Sequence, residues 1–179
     1  LYIYPESGFK ASDDVEFITY DKPFITIKNA ENIKISGIKF EKSLDMGIKI
    51  DDSKKISISG CTFNELCGTA INSLTSYETK IDRCAFTEVG YRAVCLESGD
   101  RETLTPGKSE ITNCTVKGFA RQRPTNSPAF WVRGVGNKVA HNEIIDGPYI
   151  AIWFGGNDHI IEYNEISEVC KDTADVGAI

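Results

Sequence analysis

The sequence predicts an all-β solenoid, a parallel β-helix of about six coils, and three observations support this. A short segment in which apolar and polar residues alternate recurs six times along the 179 residues. A second, mostly apolar segment follows each of these, and Gly, Asn and Asp are frequent between the two sets. Short strands that repeat every twenty-odd residues with turn residues between them are typical of coils that stack on one another.

The first set of segments predicts one strand with a single buried face in each coil, because apolar and polar residues alternate with a period of two. The third residue of each segment is apolar, and these positions are 23, 23, 30, 28 and 22 residues apart: Ile35, Ile58, Ile81, Ile111, Val139 and Ile161. The segments are IKISGIKF (33–40), ISISGCTF (56–63), TKIDRCAF (79–86), SEITNCTV (109–116), NKVAHNEI (137–144) and HIIEYNEI (159–166).

The second set predicts another strand in each coil. Each segment begins with Gly or Ala followed by a bulky apolar residue, and polar Ser73 is the exception at the end of its segment. The segments are GIKI (47–50), AINS (70–73), AVCL (93–96), AFWV (129–132), AIWF (151–154) and AI (178–179). We therefore divide the chain into an N-terminal segment leading into the helix, 1–31, and the coils, 32–179.

The chain begins at Leu1 rather than Met and stops within an apolar run. We therefore expect it to be a piece of a longer β-helix, incomplete at its C-terminus. An open last coil would leave strand edges unpaired, which predicts end-to-end association there.

Stacking at about 4.8 Å places equivalent residues of successive coils in columns. Asn142 and Asn164 share one column, which predicts a short asparagine ladder along the axis. Earlier coils place Cys61, Cys84 and Cys114 at that same position, and we expect free thiols in the core, where cysteine behaves as a small hydrophobe. A neighbouring column, Phe40 to Ile166, is expected to be a core stack.

Other classes fit the sequence less well. Leucine-rich repeats would require many more leucines, propeller blades need about forty residues each, and no 3.6-residue period indicates helices.

No apolar run is long enough to cross a membrane. The 20 basic and 26 acidic residues give a net charge of −6, which argues against nucleic acid as a partner. The cysteines and histidines form no zinc-binding pattern, so no metal site is expected.

Three insertions interrupt the repeat, and insertions in solenoids commonly mark the binding face. ESGDRETLTPGKS (97–109) separates coils three and four, KGFARQRPTNSP (117–128) splits coil four, and VCKDTADVG (169–177) expands coil six. The last two occupy the same slot two coils apart. They should therefore project on the same side, about 10 Å from each other.

Both tryptophans are predicted to lie beside these insertions. In the second set of strands the outward column is Lys49, Asn72, Cys95, Trp131 and Trp153. Two indoles in register on adjacent coils would form a flat apolar platform that suits the C–H face of a sugar ring. The alternative is that an inserted loop folds over both indoles and makes a second, small core.

Polar candidates for a site concentrate on this side of the predicted helix. Each also has an ordinary structural interpretation: GGND (155–158) is a turn sequence, and a surface ion pair between loop residues contributes little. Glu97, Arg133 and Gly155 share the column next to the tryptophans. The candidates are Asp100, Arg101, Arg121, Arg123, Arg133, Asn157, Asp158, Asp172 and Asp175.

Several segments resemble bacterial right-handed parallel β-helix proteins that act on carbohydrates. The N-terminal LYIYPESG (1–8) and NIKISGIKFEKS (32–43) resemble the lead-in and first coil of such proteins. Four further segments resemble the β-helix glycoside hydrolases with fucosidase and xylanase activities. These are SGDRETLTPG (98–107), GVGNKVAHNEI (134–144), GGNDHIIEYNEI (155–166) and DTADVGAI (172–179).

The resemblance implies catalysis by acidic residues on one face, with Asp175 foremost and Asp158 and Asp100 in support. It also implies a secreted bacterial protein, extracellular or periplasmic, that needs no cofactor. The family continues for several coils past the DVGA motif. If one member of the acid pair lies in those coils, this chain is not active alone.

We therefore expect a module of a glycoside hydrolase whose partner is a polysaccharide or oligosaccharide, with neither nucleic acid nor membrane involved. The residues expected to bind substrate are Trp131, Trp153, Arg121, Arg123, Arg133, Asn157 and Asp172. A polysaccharide lyase or uronate epimerase is one alternative, in which Arg121, Arg123, Arg133 or a Ca²⁺ ion would neutralise a uronate. A non-catalytic sugar-binding or adhesin solenoid is the other, because fold alone does not settle function.

Overall fold

Each coil of the chain supplies one strand to each of three sheets, and the strands of successive coils are parallel. The computed structural model describes residues 16–174 and 176–179. Within these residues the regular structure consists of 19 strands, and no helix is present. The predicted all-β parallel helix is confirmed.

The strand bounds follow in chain order. The first ten are β1 Ile25–Lys28, β2 Lys34–Ser36, β3 Lys39–Ser43, β4 Ile48–Asp51, β5 Ser57–Ser59, β6 Thr62–Leu66, β7 Ile71–Leu74, β8 Lys80–Asp82, β9 Ala85–Thr87 and β10 Val94–Asp100. The others are β11 Thr105–Pro106, β12 Glu110–Thr112, β13 Thr115–Lys117, β14 Phe130–Val135, β15 Lys138–Ala140, β16 Glu143–Ile145, β17 Ile152–Asn157, β18 Ile160–Glu162 and β19 Glu165–Ser167.

Three sheets wrap around one core. Sheet A has the order β1-β4-β7-β10-β14-β17, with the short β11 antiparallel to β10. Sheet B has the order β2-β5-β8-β12-β15-β18, and sheet C the order β3-β6-β9-β13-β16-β19. A coil is here one strand of sheet B, the next of sheet C and the following strand of sheet A. Strand β1 lies before residue 32 and pairs with β4, so sheet A begins inside the predicted lead-in segment.

The predicted columns are present with the predicted register. Ile35 pairs with Ile58, and the column continues without a shift to Ile161 in β18. In sheet C, Phe63 stacks between Phe40 and Phe86 with ring centroids 4.9 and 5.1 Å apart and is fully buried. Because the strand period is two, a shift of one residue would turn these rings outward.

The asparagine ladder between coils five and six is confirmed. The side-chain amide of Asn142 donates to Ile111 O at 3.0 Å and to Asn164 Oδ1 at 2.9 Å. Asn142 Oδ1 accepts the Cys114 N–H at 2.9 Å, and the Asn164 amide donates to Val139 O. These side chains form hydrogen bonds with backbone N–H and C=O groups at a corner, where the strand-to-strand hydrogen bonds of a sheet are interrupted.

The cysteines are free thiols, as predicted. Cys61, Cys84 and Cys114 are buried in the column that precedes the asparagines, and each Sγ donates to a backbone carbonyl.

The last coil is more exposed than those before it. Val132 is fully buried, whereas Phe154, its partner in the next strand, is 47 % exposed. Ile160 and Tyr163 are also exposed. End-to-end association through this coil stays a prediction. The LYIYPESG segment lies outside the described residues.

Candidate functional site

The outward face of sheet A lies between two corners that carry the insertions. At the corner toward sheet B, the 97–109 insertion folds into a hairpin in which β10 pairs with β11 through Gly99–Pro106 and Asp100–Thr105. At the corner toward sheet C lie the 117–128 and 169–177 insertions. Arg121 and Pro124 of the former line one depression together with Lys171 and Asp172 of the latter. These two insertions therefore project on the same side, as predicted.

The two tryptophans stack on the floor between these corners. Trp131 of β14 pairs in register with Trp153 of β17, and their ring centroids are 5.5 Å apart with an interplanar angle of 10°. Trp153 is 38 % exposed, whereas Trp131 is half-buried. The predicted adjacency is confirmed. Trp131 is the less exposed of the two, because charged side chains cover part of it.

Those charged side chains are two arginines whose guanidinium groups lie over the Trp131 ring. The guanidinium of Arg92 is 5.6 Å from the indole centroid, and that of Arg133 is 5.3 Å from it. Arg92 is also 4.2 Å from the centroid of Tyr91, and Arg123 lies 5.2 Å from that ring. Planar guanidinium groups stack on aromatic rings and are stabilised by the negative ring face. The described parts of the insertions thus flank the tryptophans and do not enclose them in a second core.

Arg92 is a site residue that the sequence interpretation missed. It precedes β10, and its Nη2 donates to Asn126 O at 3.1 Å, which ties the 117–128 insertion to coil three. Its Nε is buried and has no hydrogen-bond partner among the described residues. In the sequence, the neighbouring Tyr91 is the feature that could have indicated an arginine stacked on an aromatic ring.

Cys95 lies in the outward column, yet it is only 5 % exposed. Burial raises the pKa of this thiol to about 11, although the nearby Arg92 guanidinium acts in the opposite direction. The thiol is therefore protonated at neutral pH and is a poor nucleophile, since the thiolate is the reactive form.

Two carboxylates lie at the corner that carries the hairpin. Glu97 is in register with Arg133, and its Oε2 is 3.8 Å from Arg133 Nη1. Asp100 accepts hydrogen bonds from Thr103 Oγ1 at 2.7 Å and from the Glu102 N–H at 2.9 Å. These hydrogen bonds lower the pKa of the Asp100 carboxyl. Asp100 therefore stabilises the hairpin turn.

The remaining candidates divide between the two corners. Asn157 and Asp158 are exposed at the end of β17, on the corner with the hairpin. Arg121 lies at the other corner, where it pairs with Glu88 at 3.1 Å. Asp172 is exposed near Arg121, and Asp175 lies outside the described residues. Glu143 and Glu165, in register on sheet C, are exposed and distant in the fold from this face.

A family comparison agrees with this geometry. A family model described as a right-handed β-helix region matches residues 23–105 and 69–177. The chain belongs to the right-handed β-helix family. A search of curated proteins and a search of solved structures each gave no significant match.

Membership of the right-handed β-helix family supports the coil architecture and its handedness. It does not specify a chemical activity. Within the described part of this β-helix, no group of three or more His, Cys, Asp or Glu side chains is arranged to hold a metal ion. No helix in the described ranges is long and apolar enough to cross a membrane.

Proposed function

We propose that the outward face of sheet A binds a polysaccharide and that the protein is a module of a glycoside hydrolase. The observation that carries the proposal is the in-register stack of Trp131 and Trp153 between two raised corners. Because the two indoles stack on each other, the apolar surface open to a sugar ring consists of their exposed edges and of Trp153, which is 38 % exposed. Because the column runs across successive coils, the floor runs along the helix axis and suits an extended chain of sugars.

The proposed chemistry needs two carboxyl groups, one to protonate the leaving oxygen and one to activate water or attack the anomeric carbon. Glu97 is the carboxylate in register beside the tryptophan column, and Asp100 and Asp158 lie on the corner next to it. Since the pKa of Asp100 is lowered, it fits the ionised partner better than the acid. Asp175 remains the leading candidate for the acid, on the family resemblance alone.

The stack of coils limits the stereochemical outcome. Carboxylates in one column on adjacent coils would be about 5 Å apart, near the spacing of retaining enzymes. Two coils apart, as β10 and β17 are, the spacing is about 10 Å and close to the upper limit for inverting enzymes. Asp100 pairs with Thr105 in the hairpin, beyond the last β10–β14 pair, so this column spacing does not set its distance from Asp158. The same proposal includes a location outside the cytoplasm, because a polysaccharide substrate would be met there.

The test is turnover by the full-length protein on a panel of plant and algal glycans, measured as released reducing sugar. We expect activity that falls at least about a hundredfold in Asp175→Asn, since loss of a general acid or base typically costs 10²–10⁴-fold. Asp158→Asn and Asp100→Asn are assayed beside it, and Glu165→Gln, exposed on sheet C, is the matched control.

Three results would contradict the proposal. Unaltered turnover in all three aspartate variants would exclude these carboxylates from the mechanism. Products that absorb in the ultraviolet would indicate a lyase that forms unsaturated sugars. Glycan binding without turnover would favour a non-catalytic sugar-binding solenoid.

A further inference from the structure

The side chains around Trp131 are positively charged, although the chain as a whole is acidic. The whole sequence has a net charge of −6, yet Arg92, Arg123 and Arg133 gather around two aromatic rings. Glu97 is the carboxylate that pairs with this group, at 3.8 Å from Arg133. Among the described residues, Arg92 and Arg123 form no ion pair. The floor of the proposed binding face therefore has an excess of positive charge.

The arginines lie over the aromatic rings. The guanidinium groups of Arg92 and Arg123 lie over Tyr91, and those of Arg92 and Arg133 lie over Trp131, with guanidinium-to-centroid distances of 4.2 to 5.6 Å. Stacking fixes the plane of each guanidinium, so little side-chain freedom is lost when a ligand binds.

Arg92 has donors to spare within this arrangement. Its Nη2 donates to the carbonyl oxygen of Asn126, its guanidinium also contacts the Cys95 thiol, and its Nε is buried without a hydrogen-bond partner among the described residues. A buried donor without a partner is unfavourable, and a charged one more so. An anionic oxygen beside the guanidinium would supply a further acceptor for this charged group.

We propose that Arg92, Arg123 and Arg133, held by Tyr91 and Trp131, form a subsite for an anionic sugar that carries a carboxylate or a sulfate. A guanidinium donates two parallel hydrogen bonds to the oxygens of such a group. The sugar ring contacts the exposed surface of the stacked indoles, chiefly Trp153, and its charged substituent points toward the arginines over Trp131. The inference rests on the proposed glycan-binding face and specifies the substrate class for it.

The test is isothermal titration calorimetry of the full-length protein with three matched probes: a galactose tetramer, a galacturonic acid tetramer and a sulfated galactose tetramer. We expect at least one acidic tetramer to bind tenfold or more tightly than the neutral one. The preference should decrease as NaCl is raised, because salt screens exposed charges. Comparison of the two acidic probes distinguishes a carboxylate ligand from a sulfate ligand.

Variants locate the effect. Arg123→Gln and Arg92→Gln should each lose about tenfold in affinity for the preferred acidic tetramer, and the loss should be larger than for the neutral tetramer. Arg123 is exposed, so its variant stays informative even if Arg92→Gln fails to fold. Arg83→Gln, on the corner between sheets B and C, is the matched control.

The two proposals fail in different ways. Equal affinity for all three tetramers, with no effect of the arginine variants, would overturn the anionic subsite and leave the glycan-binding face intact. Binding of none of the tetramers, or of any other glycan in the panel, would overturn both proposals.

Discussion

Phe63→Ala is expected to lower the free energy of unfolding by about 3–5 kcal/mol, the usual cost of deleting a fully buried phenylalanine ring. Phe63 is completely buried and stacks on Phe40 and Phe86 of the neighbouring coils. Its loss leaves a cavity that faces three coils, and the rigid spacing of the sheets limits collapse around it. Urea denaturation followed by circular dichroism measures the change.

The matched control is Phe17→Ala, because Phe17 is 60 % exposed. This substitution should cost less than about 0.5 kcal/mol, as surface changes usually do. A loss below about 1 kcal/mol for Phe63→Ala would contradict the stacked aromatic column at the centre of the fold.

Gly134→Ala should cost about 2–6 kcal/mol, from about 1–3 for the backbone conformation and about 1–3 for overpacking. Gly134 has a φ of +110°, and a Cβ there would lie 1.9 Å from Ser98 O of the preceding coil. The substitution would force β14 away from β10, beside the hairpin that borders the candidate site. Thermal and urea denaturation both report the loss.

Gly60→Ala separates these two contributions. Gly60 also has a positive φ, +59°, but a Cβ there meets no atom within 4 Å. Only the conformational cost applies, about 1–2 kcal/mol. If Gly134→Ala proves no more destabilising than Gly60→Ala, the close approach of β10 and β14 described here is wrong.

The columns could be predicted because they depend on local sequence. Alternation decides which side chains face the core, and similar spacing places Ile58 over Ile35 and Asn164 over Asn142. The pairing of Trp131 with Trp153 follows from the same rule. The shared side of the 117–128 and 169–177 insertions follows from their equivalent positions in the repeat.

Features that depend on the path of an insertion could not be predicted in this way. Arg92 reaches Trp131 from a turn, and its orientation depends on Asn126, 34 residues further along the chain. Alternation predicts Cys95 to be exposed, whereas the structure buries it near Arg92. By contrast, the hydrogen bond from Glu102 to Asp100, two residues back, is a local turn pattern that the sequence could have revealed.

The central claim is that the tryptophan floor of sheet A binds glycan, and the most direct measurement is the affinity of Trp131→Ala for the glycan the full-length protein prefers. Loss of a central aromatic contact costs about 2 kcal/mol or more of binding free energy. We therefore expect the dissociation constant to rise at least tenfold. Tyr163→Ala is the control, since Tyr163 is 75 % exposed and stacks on His141 instead. Unchanged affinity in Trp131→Ala would contradict the claim. Binding lost in Tyr163→Ala would indicate instead a site on the corner between sheets B and C.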